Sequence, residues 1–424
     1  MNKKEITAIV MYWYPYVGAV QPIYKALFTH LSKSGYTTSI IAGIPHYRKG
    51  RQELWPEYRG IFRKESIEDG LQVKRVFVFS PRIDIGFDKN GVVRRFINYF
   101  SFFISAFLAI LTDKKSKPSL FFAVTSPPFF GGLLAYVASK IKKVPFVYNV
   151  QDLHPDILFS LKIFRVKPIA YFLGGIERFV YSRAQHITVL SNKMKETLHK
   201  KGVPLKKMTV IPNFCDTEFT GSLSKDNDFA KEYGLNARFN VFYAGNMGQP
   251  QGLESVIKAA KILKDRPDIL FVFVGSGEKK QDLQRLAGES DLTNVIFIPL
   301  QPFERMSLVW ASADISLISL RKNISHLAFP SKTYSILSSG RPLVAMVDKD
   351  SEIWEFVKAS GGGLCVESED YKDLADKIIS LYKDPARRKE MGQKGRRFIE
   401  NNFSKQRIVS EYKTLFDEVC LSQS

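Results

Sequence analysis

Cysteine is scarce in this chain, with 3 among 424 residues. Cys215, Cys365 and Cys420 are scattered without CxxC or Cys/His spacing, which excludes a disulfide framework and a structural zinc site and leads us to expect reduced thiols in the cytoplasm. A cleavable leader is also missing from the pattern. The opening MNKKEITAIVMYWYPY places two lysines before an apolar run, but the run is short and no small-residue cleavage site follows, so it reads as a first buried β-strand. Acidic residues are short in one half only: residues 1–207 hold 33 Lys/Arg against 13 Asp/Glu, an excess of 20, while residues 208–424 hold 29 of each. With 45% hydrophobic and 25% charged residues the chain is globular and not disordered, and its length suits two domains of roughly 200 residues each. A basic half beside a neutral half implies domains with different partners, the basic one meeting nucleic acid or an anionic membrane surface.

Phe96 to Thr112, FINYFSFFISAFLAILT, separates those two partners. Arg94 and Arg95 precede it and Lys114, Lys115 and Lys117 follow. At 1.5 Å per residue the segment covers about 26 Å, slightly short of a hydrocarbon core of roughly 30 Å. Asn98, Ser101, Ser105 and Thr112 fall on one helical stripe and leave an aromatic face of Phe96, Tyr99, Phe100, Phe103 and Phe107. That pattern fits an interfacial helix, with a core helix as the alternative. Nucleic-acid binding would interleave aromatic and basic residues, and here they are segregated.

The rest of the chain alternates strand and helix. Strands are expected near residues 6–12, 37–44, 120–126, 145–150 and 186–190, with helices near 21–34, 129–142 and 192–201. The second half repeats the theme, with strands near 241–244, 269–274, 295–298, 314–318, 343–346 and 364–366. Its helices are expected near 253–264, 279–287, 302–311, 331–338, 351–359 and 371–382. Such alternation makes parallel sheets whose ligands gather at the carboxyl ends of the strands, and two such domains in series create a cleft. The segment TVIPNF, residues 209–214, lies at the composition shift and is the natural hinge.

Three segments of the second half point to a nucleotide. NVFYAGNMGQPQG and LFVFVGSGE each run an apolar strand into a glycine turn, and HLAFPSKTYSILSSGRPLVA starts a helix at Pro330 and Ser331. Ser331 and Lys332 place a hydroxyl and a cation in that first turn, a combination suited to phosphate. Lys332 is the best cation, and Gly245, Asn246 and Gly248 offer N–H groups from the facing turn. Gly275, Gly277 and Glu278 belong to the second turn. Gly18, in PYVGAVQP, lets the N-terminal backbone approach a ligand closely. For each glycine, simple turn geometry is the alternative. Asp152 and His154 follow a strand end and are candidates for orienting a ligand's hydroxyls, with a capped loop as the competing explanation.

These motifs in this order resemble the family 4 glycosyltransferases of the GT-B fold, with two Rossmann-like domains whose parallel sheets face each other across a cleft. The likeness rests on Ile211, Pro212, Asn213 and Asp216, YAGNMGQPQGLE, VGSGE, and FPSK followed by SGRP. SPPFFGG (residues 126–132), VQDLHPD (150–156) and the aromatic helix add the subgroup that builds bacterial exopolysaccharide and O-antigen repeats. The resemblance implies metal-independent, retaining transfer of a sugar from a nucleotide donor, a UDP-linked N-acetyl sugar in our reading, to a polyprenyl diphosphate-linked saccharide. No cofactor beyond the nucleotide-sugar substrate and no nucleic acid would be needed. It also implies a cytoplasmic protein peripheral on the inner face of the cell membrane. The expected domains are residues 1–207 for acceptor and membrane, 208–403 for nucleotide-sugar, and 404–424 as a helix returning to the first. In that last helix Ile408, Tyr412, Leu415 and Phe416 share one face.

Two departures from the wider family stand out. Asn246 and Gln251 occupy the places of its diphosphate-binding Arg and Lys, and its Glu-x7-Glu carboxylates fall on Leu327 and Ser335. A nonhydrolysing nucleotide-sugar epimerase and a noncatalytic nucleotide-sugar-binding protein therefore remain as alternatives, and donor turnover separates both from a transferase.

Overall fold

In the computed structural model, LFFAV, FVYNV and similar β-branched and aromatic runs form strands buried on both faces, as parallel sheets covered by helices require. The structure describes residues 4–15, 21–45, 58, 60–66, 71–79, 92–153, 156, 167–217, 219–221, 223–325 and 329–421. In the first half the strands are β1 (Glu5–Ile9), β2 (Thr37–Gly43), β3 (Phe62–Ser66), β4 (Leu71–Val76), β5 (Leu120–Val124), β6 (Phe146–Val150), β7 (His186–Val189) and β8 (Met208–Val210). They make one sheet in the order β3-β4-β2-β1-β5-β6-β7-β8. The second half forms β9 (Phe239–Asn246), β10 (Ile269–Ser276), β11 (Val295–Ile298), β12 (Ile315–Ser319), β13 (Leu343–Met346) and β14 (Gly363–Val366), in the order β11-β10-β9-β12-β13-β14.

Three expectations change. The first sheet is not wholly parallel, because β3 pairs antiparallel with β4, Arg63 opposite Arg75. These strands carry inward charges that hide their strand pattern: Lys74 Nζ meets Asp113 Oδ2 at 2.5 Å, and Arg75 Nε meets Glu65 Oε1 at 2.8 Å. The first unit does not end at 207, because β8 pairs with β7 (Ile187 opposite Met208) and the boundary falls between Pro212 and Asn213. Within the last helix, Lys405–Leu421, the division falls after Ile408, so Val409 onward belongs to the first unit. There Tyr412 and Phe416 set their rings 5.9 and 5.6 Å from Phe122.

Gly131 and Gly132 explain SPPFFGG. A Cβ on Gly131 would lie 2.5 Å from Val124 O, and one on Gly132 would meet Val180, so only glycine lets the helix Phe130–Lys142 sit this close to the end of β5.

A partly buried ion cluster forms around Asp156, Glu177 and Lys201. Lys201 Nζ lies 2.5 Å from Asp156 Oδ2 and 2.9 Å from Glu177 Oε2, and Tyr181 donates its hydroxyl to Glu177 Oε1 at 2.8 Å. Burial raises the Glu177 carboxyl above its usual range against the pull of Lys201. Lys201→Met is expected to cost about 2–4 kcal/mol, because it strands a buried carboxylate. The loss should be smaller at pH 5 than at pH 7.5, since a raised carboxyl takes up a proton as pH falls and sheds the uncompensated charge. Urea unfolding at both pH values measures this.

Candidate functional site

The second sheet builds the donor candidates into one place. β9 and β10 run parallel with Gly275 opposite Gly245 and Ser276 opposite Asn246, so both glycine turns leave the same edge of the sheet. Gly275 has φ +141, and a Cβ there would collide with Gly245 O, while one on Gly277 would collide with the Met247 backbone. Backbone atoms cannot yield, so Gly275→Ala is expected to push the two turns apart, lower the melting temperature by several degrees and abolish nucleotide binding. Thermal melts with and without UDP check this.

Lys332 opens the helix Lys332–Ser338 and turns its ammonium into this backbone floor. Its Nζ lies 3.6 Å from the centroid of the Tyr243 ring, and a Cβ on Gly245 would lie 3.6 Å from the same atom. Tyr243 is itself fixed by donating its hydroxyl to Asn246 O at 2.6 Å. Lys332 as a residue keeps part of its surface in solvent, but Nζ is sealed and has no hydrogen-bond partner among the described residues. Burial without a counter-charge lowers its pKa to about 7. A desolvated cation with only a ring face beneath it is costly unless an anion completes its shell.

The other expected donors are placed less uniformly. Asn246 and Glu278 are exposed beside the turns. Gly248 cannot offer its N–H as expected, because that group donates to Gln251 Oε1 at 3.0 Å, and Glu278 Oε1 accepts Gln249 N at 3.3 Å. Gln251 is thus a brace for its own turn, with its backbone O accepting Ser319 Oγ at 2.6 Å. Ser331 makes no side-chain cap. Ser335, one turn along, accepts from Cys215 Sγ at 3.8 Å, away from the glycine turns. Gly18 and Leu327 lie outside the described residues.

Sequence reasoning missed Tyr243 and Arg321. Arg321 follows β12 and pairs with Glu254 Oε1 at 2.9 Å, and its buried Nε has no partner. A Cβ on Gly252 would press on its Cγ at 2.8 Å. The signal was present, since Arg321 directly follows the apolar run ISLISL and strand ends are where ligands gather.

In the first unit, β6 delivers Gln151 and Asp152, while His154 lies outside the described residues. Beneath Asp152 runs a buried polar chain centred on Asn149, which is 0% exposed. Asn149 Oδ1 accepts from Tyr24 Oη at 2.7 Å and Gln151 Nε2 at 2.6 Å, and its Nδ2 donates to Thr188 Oγ1 at 2.8 Å and Tyr412 Oη at 3.0 Å. Gln151 N also donates to Thr125 Oγ1 at 3.0 Å. The network fixes the residue before Asp152 and ties it to the last helix. Burial, and in lesser part the charge of Asp152, raises the Tyr24 phenol.

The aromatic helix, Val92–Thr112, corrects a further expectation. Part of the face beside its aromatic stripe is buried: Asn98 is buried and Ser101 Oγ accepts Phe79 N at 2.9 Å, while Thr112 is exposed. Phe102, Ala106 and Ile110 extend the buried side, and the exposed face is Phe96, Phe100, Ile104, Leu108 and Leu111. Tyr99 and Phe103 lean on Phe130, at ring distances of 6.4 and 6.1 Å. Phe107 is half-buried.

Two Rossmann-like units, one carrying glycine turns around a lysine with no counter-charge among the described residues, define an α/β protein of GT-B architecture. The sequence agrees: the family described as Glycosyltransferase Family 4 matches residues 25–219, and that described as Glycosyl transferases group 1 matches residues 225–398. The chain belongs to the family 4 glycosyltransferases. It is 23% identical over 390 residues to the putative colanic acid biosynthesis glycosyl transferase WcaI of Escherichia coli K12, covering 90% of this chain and 92% of that one. It is likewise 23% identical over 337 residues to the capsular polysaccharide biosynthesis glycosyltransferase CapM of Staphylococcus aureus, covering 77% and 83%. Among solved structures it resembles HepE of Anabaena in complex with UDP, with TM-score 0.70 and 14% identity over 98% of this chain and 100% of that one.

Proposed function

We propose that this glycosyltransferase moves a sugar, with retention, from a UDP-linked donor held by the second unit to a lipid-linked saccharide met by the first, in the synthesis of a cell-surface polysaccharide. The observation that carries the reading is the sealed Lys332 ammonium. It sits against Tyr243 and Gly245 without a counter-anion, where a diphosphate would complete it. The names of WcaI and CapM support the polysaccharide setting, and the UDP complex of HepE supports the base.

Chemically, the bond between the anomeric carbon and the diphosphate oxygen breaks while the acceptor oxygen bonds to the same face of that carbon. The acceptor proton passes to the departing phosphate oxygen. Lys332 stabilises the charge that grows on this leaving group, and the glycine turns keep side chains out of its way. Asp152, fixed through Gln151 and Asn149, orients the acceptor hydroxyl and does not abstract its proton.

Membrane contact follows from the first unit. The exposed apolar face of the aromatic helix is flanked by Arg94, Arg95, Lys114, Lys115 and Lys117, all exposed, which suits an anionic lipid surface. By length and composition Arg94–Thr112 is apolar enough to cross a membrane, but its buried face belongs to the core of the unit, so the reading is an interfacial contact at the inner leaflet.

Incubation with a panel of UDP- and GDP-sugars and a polyprenyl diphosphate saccharide tests the proposal. The expected product is a glycolipid longer by one sugar, made from a UDP-sugar and with the donor's anomeric configuration by NMR. An inverted product, or donor epimerisation without transfer, would overturn it.

A further inference from the structure

Lys332 and the glycine turns occupy the carboxyl edge of the second sheet. At the opposite edge, where Asp314 leads into β12 and Pro342 into β13, lies a cavity of about 340 Å³ lined by Arg341, Arg388, Lys389 and Arg396. Its volume falls within the range of small-molecule pockets, roughly 300–1,000 Å³.

The charge in this cavity is unbalanced. Asp314 is its one acidic residue, and it is shared between Arg341, whose charge it favours, and two contacts on its Oδ2, Lys225 Nζ at 2.6 Å and Asn240 N at 2.7 Å. The guanidinium groups are held mainly by carbonyl oxygens, which fix their direction without cancelling their charge. Arg341 Nη2 donates to Leu223 O at 3.1 Å, and Arg396 Nη1 donates to Ser338 O at 3.1 Å. Arg388 Nη1 donates to Leu381 O and, at 3.0 Å, to Tyr382 O. Among the described residues Arg396 alone of the four has an ion-pair carboxylate within 4 Å, Glu400 at 2.8 Å. Arg341 Nε is buried with no partner. Close packing keeps the cluster in place, since Gly392 lies against Gly340 so tightly that a Cβ would strike its carbonyl oxygen. Four cations with Asp314 and Glu400 as their acidic neighbours leave an excess of positive charge, and planar guanidinium forks of fixed direction are suited to phosphate oxygens.

We propose that this cavity is a second anion site, which takes a small phosphorylated molecule distinct from the donor. Because it opens at the edge of the sheet away from the glycine turns, its ligand is an effector and not a reactant. The helix Lys332–Ser338 joins the two places: Lys332 begins it, and Arg396 holds the carbonyl of its last residue.

Inorganic pyrophosphate is the probe, titrated calorimetrically into the full-length protein at constant ionic strength. Binding is expected in the wild type and expected to persist in Lys332→Met, which keeps this test separate from the donor reading. Arg388→Gln with Lys389→Gln should weaken it about tenfold or more, since each charge-assisted contact carries at least that ratio. Lys389 is exposed, so Lys389→Glu leaves the fold intact and should weaken binding at least several-fold even where the double variant misfolds. Absence of binding in the wild type, its loss in Lys332→Met alone, or undiminished affinity in Lys389→Glu would overturn the proposal.

Discussion

Replacing Lys332 by Met is expected to weaken UDP binding by about 10- to 100-fold, the ratio that corresponds to roughly 1.5–3 kcal/mol for one charge-assisted contact to phosphate. The pH dependence should be more telling than the loss itself. In the empty protein Lys332 titrates at about 7, so the protonated fraction available to the diphosphate falls about tenfold for each pH unit above that point. Wild-type affinity should fall in step between pH 7.5 and 9, with close to one proton taken up on binding, while Lys332→Met should show neither the slope nor the uptake. The sign is fixed by burial. The folded pKa lies below the ordinary 10.5, so a Lys332 charged in the unfolded chain is penalised on folding until pH rises above that ordinary value. Lys332→Met should therefore raise the melting temperature of the empty protein at neutral pH while it damages binding, the opposed pair expected of a functional group. Calorimetry in buffers of different ionisation enthalpy, beside thermal melts, measures all three. A variant that binds UDP as the wild type does removes Lys332 from the site.

The second large effect concerns the membrane. Phe96, Phe100, Ile104 and Leu108 form the exposed apolar face, and their joint replacement by Ser is expected to reduce partitioning onto anionic liposomes on the order of 100-fold or more. UDP affinity should be unchanged, because these residues and the glycine turns lie in different units. The exposed set is the informative choice: Phe103 and Phe107 are half-buried, and changing them would disturb the packing of the helix as well as its outer face. High salt should release the wild type partially, since each flanking Lys or Arg contributes about 1 kcal/mol near an anionic surface and that share is screened. A wild-type protein that stays in the supernatant at low salt, with liposomes sedimented, would make the exposed stripe something other than a lipid contact.

Much of this was legible in the residues, for identifiable reasons. Apolar strands ending in glycine announce themselves because both faces are buried and the turn needs positive φ, as at Gly245 and Gly275. Lys332 could be singled out by its place before a helix, although its burial over Tyr243 could not, since the ring comes from a strand about ninety residues earlier in the chain. What stayed hidden was polar structure facing inward. FRKES and LQVKRV do not read as strands, because the first is largely exposed and the second buries Lys74 and Arg75, neutralised by Asp113 beyond the aromatic helix and by Glu65 on the neighbouring strand. The helix Pro385–Asn402 escaped notice because Gly392 and Gly395 share its packing with only a few apolar residues, Met391, Phe398 and Ile399. Asn149 looked like a single polar interruption of a strand, and its four partners come from three other elements and the next turn. The aromatic face of the long helix is only partly the exposed one, since Phe96 and Phe100 are exposed while Tyr99, Phe103 and Phe107 are half-buried. A sequence pattern shows that two faces differ but not which one the neighbouring Phe79 backbone will satisfy.

The measurement that bears most directly on the whole account is the structure of the full-length protein with UDP. The expected result places a diphosphate oxygen about 2.7–2.9 Å from Lys332 Nζ, above Tyr243 and between the turns at Gly245 and Gly275. A diphosphate bound elsewhere, with the Lys332 ammonium still sealed against the Tyr243 ring and touching no anion, would contradict it.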